Sequence, residues 1–324
     1  MNAPAGYDEP SIQRGAREVP VKIRRTRRPL FATGAVFLFV ALFAAGCSSG
    51  SGTSTSTTSA ATPSGQVSSI SAQVPAAIKA NGTLTVAADA TYAPNEFIGS
   101  DGHTVVGWDA DLAKALGQVL GLKINMVNAT FDTIIPGLAS GKYNLGMSSF
   151  TDTKEREKTV DFVTYFVAGT SFYVKSSGGP SITSLADLCG RKVAVEKGTT
   201  QQADAEAQAA RCKSEGKANA TVEVFNDQNA VNLALSSGRA DLAMADSPVA
   251  AYQVKQSNGA FKLSGPPYGT APYGIAIPKD NGMAKPVLAA LKQLMADGTY
   301  AKILDKWGVQ GGAISSPAIN GATS

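Results

Sequence analysis

The sequence predicts an α/β fold of two lobes, each a mostly parallel sheet flanked by helices, with a cleft between them. Three observations carry this expectation. From Gly82 onward short β-like runs alternate with helical stripes, the pattern of parallel strands joined by crossover helices. The phrase Leu138-Ala-Ser-Gly-Lys-Tyr-Asn-Leu-Gly-Met147 returns 97 residues later as Leu235-Ser-Ser-Gly-Arg-Ala-Asp-Leu-Ala-Met244, each time a helix end, a Ser-Gly stop and a buried strand. A fainter echo pairs Leu84-Thr-Val-Ala-Ala-Asp89 with Arg191-Lys-Val-Ala-Val-Glu196, each strand running into an acid and then a loop containing threonine. The chance alternative, that helix-to-strand turns resemble one another because Gly commonly follows a helix, stays open at this point.

The 324 residues divide from the N-terminus onward. Residues 1–46 hold seven Arg/Lys and three acids, then the 17-residue apolar stretch Leu30–Gly46, ending Ala44-Ala45-Gly46-Cys47. A positive flank, a short apolar core and small residues before a cysteine describe an export signal. A membrane span is the alternative, but crossing a bilayer takes about 20 apolar residues. The stretch resembles a bacterial lipoprotein signal, which implies lipidation at Cys47, although Ala44 replaces the Leu most common at its position. Thr26-Arg27-Arg28-Pro29-Leu30-Phe31 also looks like a twin-arginine export motif. Residues 47–75 are expected to be a flexible tether, because 48–65 contain only Ser, Thr, Gly, Ala and Pro and cannot bury enough apolar surface to offset the entropy of ordering.

Strands are predicted at Leu84–Ala88, Lys123–Val127, Asn144–Met147, Lys192–Glu196, Thr221–Phe225, Asp241–Ala245 and Gly274–Ile277. The spacing of Leu112, Ala115, Leu116, Val119 and Leu120 predicts a helix over Asp109–Leu120, with Asp109 as its N-cap. Similar stripes predict helices at Asp227–Ser236, Ser247–Gln256, Ala284–Ala296 and Thr299–Trp307.

Charge and cysteine content narrow the chemistry. The formal net charge of +4 sits in the leader, and residues 47–324 carry 22 basic and 22 acidic side chains. No basic field remains over the folded part to draw nucleic acid. Beyond Cys47 only Cys189 and Cys212 are present, a pair that an exported chain is expected to oxidise to a disulfide, with two free buried thiols as the alternative. His103 is the only histidine, so a zinc site lacks ligands, and its setting, Ser-Asp-Gly-His-Thr, reads as an exposed turn unsuited to a Ser-His-Asp triad. No metal or cofactor is expected.

In open α/β sheets ligands sit beyond the carboxyl ends of the strands. That rule places Asp89, Ser148, Ser149, Glu196 and Asp246 at two facing edges of a polar cleft.

The residues along those edges match a known family. From about residue 82 to 309 the chain resembles the extracellular solute-binding proteins of family 3, the polar amino acid receptors of ABC importers. The matching phrases are Asp89-Ala-Thr-Tyr-Ala-Pro94, Gly107-Trp-Asp-Ala-Asp-Leu112, Phe131-Asp-Thr-Ile-Ile-Pro-Gly-Leu138, Met147-Ser-Ser-Phe-Thr-Asp-Thr-Lys-Glu-Arg156, Gly198-Thr-Thr-Gln201 and Asp297-Gly-Thr-Tyr300. Each alone is weak, and six in order are specific. The resemblance implies a type II periplasmic-binding-protein fold: lobe 1 over 76–170 plus 270–312, lobe 2 over 171–269, and a tail over 313–324. Crossovers near Ala168–Val174 and Gly265–Tyr273 would be the hinges.

The resemblance also implies roles for individual residues. Arg156 would grip the ligand α-carboxylate, a planar fork on a planar anion; by composition alone it is a solvated charge in Lys-Glu-Arg-Glu-Lys. Thr200 would meet the same carboxylate at a helix start, or simply cap that helix. Asp246 would pair with the ligand ammonium, Ser149 and Thr151 adding oxygen acceptors, with Phe150 in the same Ser-Ser-Phe-Thr phrase; Asp-Ser-Pro is also a good helix start. Tyr92 and Phe131 would flank the ligand side chain, plain core being the other reading of Phe131. Asp89 would reach a polar ligand side chain, although Asp is ordinary at a strand-to-turn junction. Glu196 departs from the apolar or amide residue of relatives. With Asp89 it leaves two spare acids, which favours a cationic or amide side chain, provided that Glu196 and not the adjacent Lys197 points inward.

The expected protein is therefore a monomeric, lipid-tethered receptor on the outer face of the cytoplasmic membrane, one that closes on a free polar amino acid and passes it to an ABC permease and its ATPase. It needs no catalysis. Two rivals remain: a cyclohexadienyl-type dehydratase on the same scaffold, using Glu196 or Asp89 as general acid, and a receptor that presents its ligand to a signalling partner.

Overall fold

A computed structural model describes residues 64–323. The predicted export signal, Cys47 and the first part of the tether lie outside the described residues. Among those described, no helix is long and apolar enough to cross a membrane.

The chain opens with helices α1 (Ser64–Ala72) and α2 (Ala76–Asn81), then strand β1 (Thr83–Ala88). Three short strands, β2 (Thr91–Tyr92), β3 (Glu96–Ile98) and β4 (Val105–Val106), form a small antiparallel sheet of their own. Helix α3 (Trp108–Leu120), β5 (Lys123–Asn128), α4 (Phe131–Ala139), β6 (Leu145–Gly146) and the single turn α5 (Lys154–Glu157) complete the first half. The long strand β7 (Val160–Lys175) leads to β8 (Lys192–Glu196), α6 (Thr200–Ser214), β9 (Thr221–Phe225), α7 (Gln228–Ser237), β10 (Leu242–Asp246) and α8 (Ser247–Gln256). A second long strand, β11 (Phe261–Pro278), returns to the first half, where α9 (Ala284–Ala296) and α10 (Thr299–Trp307) follow.

Eight strands run in the order β5-β1-β6-β11-β7-β10-β8-β9. Each half contributes a parallel set of strands, and the two long crossover strands join them into one hydrogen-bonded order. Parallel triplets β5-β1-β6 and β10-β8-β9 flank an antiparallel centre of β7 and β11, which pair with each other along most of their length. The register of β11 against β7 shifts between Ser264 and Tyr268 and again before Ala271, inside the segment expected to act as a hinge. Such bulges bend a ladder without ending it.

Alternation along the strands gives each half a core on both sheet faces. Leu84 and Val86 pack under α3, α9 and α10, whereas Ala87 faces Ile134 and Leu138 of α4. In the second half Val193 and Val195 meet Ala205 of α6, and Ala194 meets Val231 and Leu235 of α7. Cys189 and Cys212 are joined by a disulfide that ties the turn before β8 to α6.

Three expectations need correction. The tether does not extend to residue 75: α1 packs on α3 and α9, and Ile70 and Val74 are buried in the main core, because two apolar anchors suffice once a complementary groove is present. Residues 313–323 are not a loose tail. Ala318, Ile319 and Asn320 run antiparallel to Phe162–Thr164 and cover the edge of β7 that β10 does not reach. Asp109 is not the N-cap of α3; Gly107 is, at φ 130°, where a Cβ would stand 2.0 Å from the Asn95 carbonyl oxygen.

If α1 belongs to the core, Ile70→Ala should lower the unfolding free energy by about 2 kcal/mol. Urea denaturation checks this, and a midpoint equal to that of the unmodified protein would return α1 to the tether.

Candidate ligand-binding site

The carboxyl ends of β1, β6, β8 and β10 converge on one narrow cavity between the two halves. Nine of the ten predicted residues line it: Asp89, Tyr92, Phe131, Ser149, Thr151, Arg156, Glu196, Thr200 and Asp246. Phe150 does not. It lies beneath the floor, 1% exposed, stacked on Phe131 at 4.5 Å between ring centroids. Ser148, Thr199 and Gln201 line the cavity as well; Gln201 stood in the Gly-Thr-Thr-Gln phrase, but nothing in its type marked the side chain as inward-facing.

Arg156 stands on α5, whose first turn is capped by the Thr153 hydroxyl accepting from the Arg156 N–H at 3.2 Å. Its guanidinium donates to the Thr151 carbonyl at 2.8 Å and, across the gap, to the Gly198 carbonyl at 3.0 Å. The rings of Phe131 and Phe150 lie 5.3 and 5.5 Å from it, a cation–π setting. Burial lowers its pKa to about 10, so it stays charged at neutral pH. The composition reading of a solvated charge does not hold.

Opposite, β8 ends at Glu196, and the backbone turns at Gly198 (φ 79°), where an added Cβ would sit 3.0 Å from Asp132 Cβ of the other half. Helix α6 then starts with Thr199 as N-cap, its hydroxyl accepting from Gln202 N–H. Thr200 is the first helical residue, not the cap, and borders the cavity at the positive end of the helix dipole.

Asp246 closes β10. Although it occupies the N-cap position of α8, its side chain makes no cap bond. It accepts instead from Gln201 Nε2 at 2.7 Å and from the Tyr273 hydroxyl at 2.6 Å, while its own N–H donates to the Tyr92 hydroxyl at 3.0 Å. Desolvation, partly offset by those donors and by Arg156, raises its pKa to about 6.

Glu196 is 2% exposed and points inward, whereas Lys197 points out to an ion pair with Asp132 at 2.8 Å. The Glu196 carboxyl faces that of Asp89 from the opposite half. Burial first, then the Asp89 charge and hydrogen bond, push its pKa well up. Asp89 is also raised by burial, but accepts from Thr91 N–H and hydroxyl and from Phe131 N–H. It thus holds the loop after β1 and the start of α4 while presenting charge to Glu196.

A second carboxyl pair, absent from the sequence expectations, lies under Ser148 and Ser149. Glu96 and Asp109 are both fully buried. The two serine hydroxyls donate to Glu96 at 3.2 Å, and Ser149 N–H and the Tyr165 hydroxyl donate to Asp109 at 3.2 and 2.8 Å. Burial and the Asp109 charge raise Glu96 well above the carboxylate range, and burial brings Asp109 to about 7. This platform fixes Ser149 in the left-handed region, φ 52°, which a non-glycine residue keeps only when its surroundings over-determine it.

The arrangement offers one cation and a helix start that face each other across the cavity, with acids contributed by both halves. Two α/β halves linked by two long strands, with such a polar cavity between them, define a protein of the solute-binding type. Residues 84–310 match the bacterial extracellular solute-binding proteins, family 3, and the chain belongs to that family. It is 32% identical over 255 residues to the arginine-binding protein ArgT of Corynebacterium glutamicum, covering 78% of this chain and 83% of that protein. With ABC transporter arginine-binding protein 1 of Escherichia coli it shares 33% over 223 residues, 67% of this chain and 87% of that one. Among solved structures, an ancestral arginine-binding protein bound to arginine is 40% identical with a TM-score of 0.65, covering 70% of this chain and 98% of that one. An ancestral amino acid-binding protein described as a precursor of cyclohexadienyl dehydratase is 38% identical, TM-score 0.64, over 71% and 97%.

The raised acids set a direction for stability. Each has a folded-state pKa above its unfolded value near 4, so the fold holds extra protons and loses stability as pH rises from about 4 through 6 (Asp246) to 7 (Asp109, Asp152). The protein without added ligand should therefore melt higher at pH 5 than at pH 8. A melting temperature that is flat or rises over that range would contradict the burial of these groups as acids.

Proposed function

We propose that this protein captures a cationic amino acid, arginine first, and delivers it to an ABC permease from a lipid anchor at Cys47. The observation that carries the ligand class is the facing pair Asp89 and Glu196, one from each half. In this reading Arg156 and the start of α6 take the α-carboxylate, and Asp246 with Ser149 and Thr151 takes the ammonium. The side chain runs over Phe131 and Tyr92 to the acid pair. A guanidinium between two carboxyls relieves their mutual repulsion and satisfies both with directional donors. An acidic side chain would add a third negative charge there, and a neutral amide would leave the pair uncompensated. The arginine-binding relatives agree with this choice.

Closure follows from the same placement. A ligand whose two charged ends touch opposite halves binds the closed form better than the open one, and only that difference shifts the equilibrium. No reaction is assigned. The acids that a dehydratase would need as proton donors are the ones engaged with each other across the gap, and the dehydratase precursor among the similar structures is itself described as amino acid-binding. Delivery to a permease rests on the ABC transporter relative, and anchoring rests on the leader.

Calorimetry should show L-arginine binding more tightly than L-glutamine and far more tightly than L-glutamate. Arg156→Ala should weaken arginine binding by about 2–5 kcal/mol, because a charge is left unpaired in a closed site; a loss under about threefold would remove Arg156 from the carboxylate role. Glu196→Gln should narrow or reverse the preference for arginine over glutamine, and an unchanged ratio would remove the acid pair from recognition. Since a bound cation favours the ionised acids, binding should expel protons and strengthen between pH 5 and pH 8, read from heats in buffers of different ionisation enthalpy. Proton uptake would contradict it.

A further inference from the structure

The strap formed by residues 318–322 lies beyond the family match, which ends at residue 310, yet it touches the turn that carries Arg156. Its backbone first pairs with the edge of β7. Thr164 N–H donates to the Ala318 carbonyl and Asn320 N–H to the Phe162 carbonyl, both at 2.9 Å, and the Asn320 side chain accepts from Phe162 N–H at 2.8 Å. The chain then leaves the ladder at Asn320 (φ 54°) and aims its next two N–H groups at carboxylates. Gly321 donates to Asp152 at 2.8 Å and Ala322 to Glu157 at 3.2 Å.

Those two acids bracket Arg156. Asp152 is buried and immediately follows the cavity residue Thr151, and Glu157 is the last residue of the α5 turn. Their carboxyls face each other, so Asp152 is pushed up to about 7 by burial and by Glu157. Lys154 pairs with Glu157 from the outer side at 2.9 Å. Arg156 is held by the Thr151 carbonyl on its own loop and the Gly198 carbonyl across the gap, and Asp152 is a charge that acts on it. Without the strap's donors the Asp152 carboxyl is freed to compete for the guanidinium and draw it away from the Gly198 carbonyl.

We infer that the strap is a positioning element for ligand capture: by engaging Asp152 and Glu157 through the Gly321 and Ala322 N–H groups, it keeps Arg156 directed into the cleft to receive the ligand carboxylate. The inference rests on the reading of the site as a cationic amino acid receptor.

Three chains test it: the full chain, one ending at Ala322 and one ending at Asn320. The last keeps the pairing with β7 and loses both donors. The chain ending at Ala322 keeps the donors and brings a terminal carboxylate to the same neighbourhood. Binding of L-arginine and of L-argininamide, which lacks the carboxylate charge, is measured for each by calorimetry, alongside the melting temperature. Ending at Asn320 should weaken L-arginine about tenfold, the loss of hydrogen bonds to charged groups, and L-argininamide less than about twofold, while ending at Ala322 should change neither. An unchanged L-arginine affinity would overturn the positioning role. So would an equal loss for both ligands, or a loss already present at Ala322, since those mark general destabilisation or an added charge. Failure of the full chain to bind L-arginine would instead overturn the reading of the site, and the inference with it.

Discussion

The constraint on which this structure depends is an excess of buried acid at the meeting of two half-sheets. Asp89, Glu196 and Asp246 converge on a cavity whose lining contains one guanidinium, Arg156. Moving a carboxylate out of water costs several kcal/mol unless a counter-charge or dense hydrogen bonding replaces the lost hydration. Each acid answers that cost differently. Asp246 collects two side-chain donors, Asp89 collects two backbone N–H groups and a hydroxyl, and Glu196, with the fewest donors, has its pKa pushed well up by burial and by Asp89. A closed cleft built this way favours positive charge before any ligand contact is specified, because the cation that enters it completes a set of partners the protein supplies only in part.

Holding those groups requires a rigid floor, and the floor is itself acidic. Glu96 and Asp109 lie beneath Ser148 and Ser149, and the Trp108 indole donates to Asn95, whose amide in turn donates to Ser149. Ser149 is thus held from below by the Asn95 amide, Glu96 and Asp109. The same loop continues through Thr151 to Arg156, and Asp152 N–H donates to the Pro272 carbonyl of β11. The loop that leads to Arg156 is therefore pinned to a strand that crosses between the halves.

Much of this was legible in the sequence. Acids at the ends of predicted strands, with the repeat that made two lobes of one chain, located Asp89, Glu196 and Asp246, because strand ends and helix starts are fixed by local chemistry. The inward direction of Glu196 was not decided by its neighbourhood, since a Glu-Lys pair at a strand end can point either way; packing against Asp132 chose it. Phe150 was placed one layer too high for a similar reason: alternation after a two-residue strand does not fix which ring reaches the cavity. Helix α1 was hidden by composition, its Ser- and Gln-rich surface outweighing two anchors. Glu96 was invisible because its strand is three residues long and its partner comes from another element. The strap was hidden as well, since Asn320 and Gly321 act mainly through backbone groups that any sequence possesses.

The two carboxyl pairs outside the cavity show why the site is built from acids in couples. A lone buried carboxylate near Arg156 would pair with it and cancel the charge intended for a ligand. Two adjacent buried carboxyls repel each other, which raises the pKa of at least one of them and keeps the charge they present together below two. Asp152 and Glu157 next to Arg156, and Glu96 and Asp109 beneath Ser149, are both of this kind, and both are further satisfied by backbone N–H groups. The guanidinium is thereby surrounded by acids already engaged elsewhere. It borders the cavity while donating to the Thr151 and Gly198 carbonyls, one from each half, so the same charge that lines the cavity also bridges the two halves.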